Sequence, residues 1–295
     1  MLRLIIRSVA TLCMLLCLTS CGSNNNNNTS NLNIYIADAP IDQASSINIT
    51  LTELDVTGDN GTYYFPFPGP ITFNFYNLQG GLSAFLTRQP LPTGHYTSIT
   101  LYFEASPGTF ESNLTLIGGG NSYPLVIPAN APTKVTLPVN FIIFNNISAS
   151  YTIDLDLRSS IFLDPNNPNQ YILQPSLRAI AVGDSGSITG TVANTLVTSG
   201  CSPSIYVYSG NVTPTDVNIY APVGSVQPIS SALVGVNSTT AIYNFTVGWL
   251  PAGTYTLAFT CEAGQDNPTM TDNILFTPVI TATVNAGQTT FVNIN

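Results

Sequence analysis

Asp154 and Asp156 stand two residues apart in a stretch, residues 151–158, that alternates apolar and polar side chains. Side chains at i and i+2 of a strand share a face. This spacing therefore sets two carboxylates side by side, with Arg158 next in the same row. Tyr151, Ile153, Leu155 and Leu157 take the other parity and face a core. Adjacent carboxylates repel, and a cation relieves the repulsion. Arg158 is the cation nearest in sequence. The alternative is a calcium ion whose shell is completed by loop oxygens from Asp38, Asp42 or Asp164. Paired-acid glycoside hydrolysis needs two carboxyl groups across a cleft, which neighbours on one strand do not supply.

His95 is the single histidine, so any Ser-His-Asp or Cys-His arrangement has to use it. It follows a Pro-x-Gly turn, and a second copy of the same motif has Thr254 in its place. That interchange marks a surface or turn position. Zinc sites built from His and Cys lack ligands, and no phosphate-binding or dinucleotide loop is present. The reading is a protein without catalytic activity and without a cofactor, calcium at Asp154 and Asp156 being the one exception left open. Two aromatic runs, residues 63–68 and 73–76, would stack on sugars or a partner if exposed. Core packing around a proline-rich turn is their other reading.

The elements that must position these residues read as strands throughout. Ile, Val, Leu, Phe and Tyr dominate the apolar residues, and clusters of Gly, Pro and Asn separate short alternating runs. Ile47, Ile49 and Leu51 share one parity, whereas Leu54 and Val56 share the other, so a β-bulge is expected near Thr52 and Glu53. Further strands are expected at residues 71–76, 150–157, 216–220 and 274–277, among others. Residues 77–87 read as a short helix or a long loop, with Leu78, Leu82, Phe85 and Leu86 at helical spacing. Leu91-Pro92-Thr93-Gly94-His95-Tyr96 recurs as Leu250-Pro251-Ala252-Gly253-Thr254-Tyr255. Each copy makes a tight turn before a strand, and each tyrosine hydroxyl is expected to find a backbone partner. The fold class is all-β, with two antiparallel, Greek-key-type β-sandwich domains at residues 32–183 and 186–295.

The N-terminus resembles the signal peptide and lipobox of bacterial lipoproteins. Arg3 and Arg7 precede an apolar run, and Leu18-Thr19-Ser20-Cys21 closes it. The apolar run is too short to span a bilayer as a helix. The resemblance implies that residues 1–20 are removed, that Cys21 carries acyl chains, and that the membrane is a partner through that anchor. Gly22 directly after the cysteine implies the outer membrane of a Gram-negative bacterium. Residues 21–31, rich in Asn, then form a solvated tether with a reach of roughly 20 Å. Without Arg3 and Arg7 the net charge goes from −9 to −11, and four scattered cations remain. They build no basic face, which excludes nucleic acid as a partner. A protein or glycan partner stays unidentified. In an exported chain the pair Cys201 and Cys261 suggests one disulfide, closing a loop of roughly 60 residues for about 4 kcal/mol.

The first domain resembles an uncharacterised bacterial lipoprotein family, the domain of unknown function 4382. The likeness rests on Ile36-Ala37-Asp38-Ala39-Pro40, Leu91-Pro92-Thr93-Gly94-His95-Tyr96, Ile153-Asp154-Leu155-Asp156-Leu157-Arg158-Ser159-Ser160-Ile161 and Tyr171-Ile172-Leu173-Gln174-Pro175. It implies a compartment and a fold more than a reaction. The second domain resembles the carboxypeptidase regulatory-like sandwiches, related in shape to transthyretin, through Gly186-x-Ile188-x-Gly190-x-Val192 and the Leu250 to Tyr255 turn. That likeness implies an accessory, non-catalytic module.

Overall fold

The computed structural model describes residues 28–295; the leader and Cys21 lie outside the described residues. The chain is all-β, and its strands fall into two pairs of sheets. In the first half, β1 (Thr29–Ala39), β4 (Ser83–Pro92), β9 (Ala149–Asp156) and β12 (Leu177–Ala181) form a sheet in the order β12-β9-β1-β4. The second sheet runs β10 (Ile161–Leu163), β11 (Tyr171–Leu173), β7 (Ser122–Val126), β6 (Asn113–Leu116), β2 (Ala44–Gly58), β5 (Gly94–Glu104), β8 (Lys134–Ile143), with β3 (Gly61–Asn74) attached to β2. In the second half, β16 (Gly235–Val236), β17 (Tyr243–Pro251), β13 (Ser185–Val192) and β20 (Thr289–Ile294) form one sheet in that order. β15 (Ser230–Leu233), β14 (Ser204–Ser209), β18 (Gly253–Thr260) and β19 (Val279–Val284) form the other.

Alternation builds the cores. Leu32, Ile34 and Ile36 of β1 meet Ile153 and Leu155 of β9 and the inward residues of β2 and β5 in one apolar cluster. Both parities of β2 stay buried because its register slips between Leu51 and Glu53 against β3 and β5 alike. That is the expected bulge. Ile188, Phe245, Leu257 and Val284 centre the second cluster, and the Cys201–Cys261 disulfide flanks it. The hairpins are antiparallel, but β1–β9, β7–β11 and β13–β20 pair in parallel. In both halves a later strand, β9 or β20, returns beside the first one in the same direction.

Several expected elements differ. Residues 77–87 are not a helix: a 3-10 turn at Phe75–Leu78 leads into β4. Gly80 and Gly81 adopt φ of 67° and 83°, which stops helical winding, and β1 takes β4 as its ladder partner. Residues 216–220 and 274–277 are loops. They cover the outer face of β14, where Val217 and Phe276 pack on Tyr206 and Tyr208. Their backbone donors are met by scattered partners, Val217 N–H by Asp266, Leu275 N–H by Glu262, Ile219 N–H by the Pro268 carbonyl and Thr277 N–H by the Phe259 carbonyl, in place of a regular ladder. The first aromatic run lies within β3, an edge strand. Tyr63, Phe65 and Phe67 pack on the core, and Tyr64 is 66% exposed. Pro66, Pro68 and Pro70 sit on this same edge, where a missing N–H costs nothing.

The recurrent motif is a corner between sheets. β4 passes to β5, and β17 to β18, each time crossing from one sheet of the half to the other. The Tyr96 hydroxyl donates to the Pro92 carbonyl at 2.8 Å, and that of Tyr255 to Pro251 at 2.6 Å. Thr93 N–H bonds to the Asn28 carbonyl at 2.7 Å, and Ala252 N–H to Asp184 at 3.1 Å. Each corner is thereby tied to the residue that precedes the first strand of its half. Both rings are buried, and Tyr96→Phe or Tyr255→Phe removes the hydroxyl bond that holds each corner. Each change is expected to lower unfolding free energy by about 1 kcal/mol in denaturant titrations, and the double variant to lose the sum.

Candidate functional site

Three of the family-like stretches, residues 36–40, 153–161 and 171–175, meet at the junction of the two halves, whereas residues 91–96 form the corner at the other end of β1. β9 ends at Asp156, whose side chain accepts from Ser159 N–H at 3.4 Å and from the Ser159 hydroxyl. This N-cap starts a single helical turn, α1 (Leu157–Ser160). The Ser160 hydroxyl bonds back to the Asp156 carbonyl and receives Ser176 N–H at 2.9 Å. The turn breaks the strand's alternation, so Arg158 does not continue the row of Asp154 and Asp156. It reaches into the second half instead.

The Arg158 and Asp42 side chains are only 4% and 9% exposed, and they pair at 2.5 Å. Arg158 Nε donates to the Ser231 hydroxyl at 3.3 Å, one terminal nitrogen to the Ala263 carbonyl at 3.1 Å, and the other to the Ser204 hydroxyl at 3.2 Å. Both hydroxyls pass the interaction on: Ser204 donates to Asp42 at 2.9 Å and Ser231 to the Pro40 carbonyl at 3.3 Å. The guanidinium lies 4.8 Å over the Tyr206 ring, a cation–π contact. Burial weakens its hold on a proton, but the Tyr206 oxygen and Asp42 more than offset that, so its pKa rises above the ordinary arginine range. The Tyr206 hydroxyl donates to Asp266 at 2.6 Å. A second contact sits away from this centre. Gly248 packs so closely on Gly81 that a Cβ would lie 2.4 Å from the Gly81 Cα, and Trp249 Nε1 donates to the Leu82 carbonyl at 3.4 Å.

The carboxylate pair is therefore relieved differently from the expectation. Asp154 pairs with Arg178 of β12, at 2.6 and 2.8 Å, because the antiparallel register sets the two residues opposite each other. Both Asp156 oxygens serve α1. Asp38 lies beside them with both side-chain oxygens buried and without a hydrogen-bond partner among the described residues. Burial, then the charges of Asp154 and Asp156, push its carboxyl well above the usual carboxylate range. Asp164 turns away to cap its own loop, and hydrogen bonds from Gln170 and Asn166 lower its pKa. Of the residues expected to share a calcium ion, Asp154, Asp156, Asp42 and Asp164 each bond to other groups, whereas both Asp38 oxygens have no partner among the described residues.

Sequence reading did not single out Asp216, Asp266 and Asp272, which bring one carboxylate oxygen each within 4.8 Å of one another. Asp272 N–H donates to Asp216 at 2.5 Å, and Asn267 N–H to Asp272 at 2.6 Å. Burial raises the Asp266 carboxyl, opposed by the Tyr206 hydroxyl bond. His95 lies at the corner as expected, with Nδ1 3.1 Å from Asp59 and Nε2 2.9 Å from Asn140. Those bonds, Asn140's first, raise its pKa, and both ring nitrogens are engaged.

Residues 29–175 match the family described as a domain of unknown function, DUF4382. The resemblance read from the sequence falls within that span. Asp42 and Arg158 lie inside it, whereas Ser204, Ser231 and Ala263 lie beyond it. No curated protein matches the chain. Among solved structures, the Bacillus anthracis TIE protein is 12% identical, with a TM-score of 0.22 over 90% of this chain and 34% of that one. This chain thus spans about a third of that protein's length. The GBS52 minor pilin of Streptococcus agalactiae is 11% identical, TM-score 0.21, over 89% of this chain and 94% of that one. The fimbrial anchor protein Mfa2 from Porphyromonas gingivalis is 12% identical, TM-score 0.20, over 83% of each chain.

Two outcomes follow from the junction. Arg158→Met leaves Asp42 buried and unpaired and is expected to cost about 3–5 kcal/mol in chemical denaturation. Asp38 has a raised pKa in the folded chain, so the native state holds its proton where the unfolded state releases it. Its contribution to stability is present below the unfolded carboxylate range and is lost as pH rises through the folded value. Asp38→Asn should therefore melt higher than the parent at pH 7. The gap should close below about pH 4, as thermal melts across that range would show.

Proposed function

We propose that this chain is an exported protein tethered through acyl chains on Cys21 to the outer membrane of a Gram-negative bacterium, and that its two halves form a non-catalytic module for binding or structural display. The observation that carries the reading is the Arg158 junction. A protein displayed on a tether gains from presenting its surface in one fixed orientation, and a buried ion pair braced by three further hydrogen bonds across the halves provides that. A hydrolase or transferase would need a base beside a nucleophile or a cleft. The one histidine is instead held by Asp59 and Asn140 at an exposed corner. The shortage of free cations agrees with a partner other than nucleic acid or an anionic polymer.

The anchor is tested apart from the body. Cys21→Ser is expected to move the protein from the membrane fraction to the soluble envelope fraction, with its melting temperature unchanged, since a single acyl-bearing residue supplies the membrane affinity. If the variant fractionates with membranes as the parent does, the anchor assignment is wrong.

A further inference from the structure

The junction also encloses a cleft of about 670 Å³, a size and an interdomain position typical of small-ligand sites. Its floor is the Asp42–Arg158 pair. One wall comes from the first half, with Phe162, Leu163 and Tyr171. The other comes from the second half, with Tyr220 and the loop that carries Gln265. Tyr220 is 65% exposed and Leu163 49% exposed.

We propose that this cleft binds a short neutral oligosaccharide. Its charge excludes anions: the Arg158 guanidinium is taken by Asp42 and by the three acceptors around it. Asp42 and Asp266 also line the cleft, and the whole chain is acidic. What the walls offer is flat aromatic surface beside an exposed amide. Aromatic faces carry partial negative charge and attract the weakly positive C–H faces of pyranose rings, while side-chain amides both donate to and accept from hydroxyls. A peptide is the competing occupant. It would need a free ladder of backbone groups, and the edge strand at this wall, β10, offers three residues, too few for a stable added strand.

The proposal deepens the binding reading and rests on the docked halves, not on the anchor. Titration calorimetry with the full-length protein in detergent, using maltotriose, cellotriose, mannotriose and chitotriose as probes, tests it. Binding of at least one probe is expected. It should weaken at least tenfold in Tyr220→Ala, hold within about threefold in Tyr220→Phe, and leave the melting temperature of both variants unchanged. A uronic acid trisaccharide should not bind. Silence of all four neutral probes, binding that survives Tyr220→Ala, or preferential binding of an extended peptide library would each overturn the proposal. The Cys21→Ser chain keeps the cleft, so its titration separates failure here from failure of the anchor.

Discussion

A guanidinium buried between two sandwiches dictates much of what surrounds it. Arg158 brings a full charge and five N–H donors into a site where its side chain is only 4% exposed, and each needs an acceptor there. The acceptors come from both sides: Asp42 after the first strand, Ser204 and Ser231 on neighbouring strands of the second half, and the Ala263 carbonyl. The single turn α1 exists to aim this side chain, and Asp156 exists in its present role to start that turn. Tyr206 points outward from its own core because the guanidinium and Asp266 meet it there. One requirement thus fixes the end of β9, the loop after β1, and the outer face of β14.

The two halves solve their folding in the same way. Each places its first strand between an antiparallel neighbour and a later parallel strand, β4 and β9 around β1, β17 and β20 around β13. Each turns from that antiparallel neighbour to the opposite sheet through Pro-x-Gly, and each locks the turn with a tyrosine hydroxyl. The corner residue's amide is tied to the residue ahead of the first strand in both. The motif that recurs in the sequence is thus the visible part of a shared plan, and the remainder is carried by different side chains.

Legibility in the sequence followed the range of the interactions. The β2 bulge could be read because a parity switch is a local fact about neighbouring side chains. The tyrosine bonds could be read because donor and acceptor are four residues apart. The disulfide could be read from an even pair of cysteines behind a leader that resembles an export signal. Arg158 could not be read correctly: Asp154 and Asp156 lie beside it in the chain, whereas its partner Asp42 is more than a hundred residues away and its other acceptors belong to the second half. β4 was obscured because Leu78, Leu82, Phe85 and Leu86 fit helical spacing, and only the ladder offered by β1 decides otherwise. The loops over Tyr206 and Tyr208 were read as strands for a similar reason, since their apolar residues serve a second, outer core. The cleft left no local trace, because its walls come from both halves.

The prolines of β3 carry a further meaning for a protein of this build. An unpaired strand edge is a template on which another chain can add a strand. Pro66, Pro68 and Pro70 interrupt the row of N–H donors on the exposed margin of the eight-stranded sheet. Copies packed at high lateral density would find no continuous ladder to extend there. The same aromatic strand that completes the core is in this way kept from seeding a fibre.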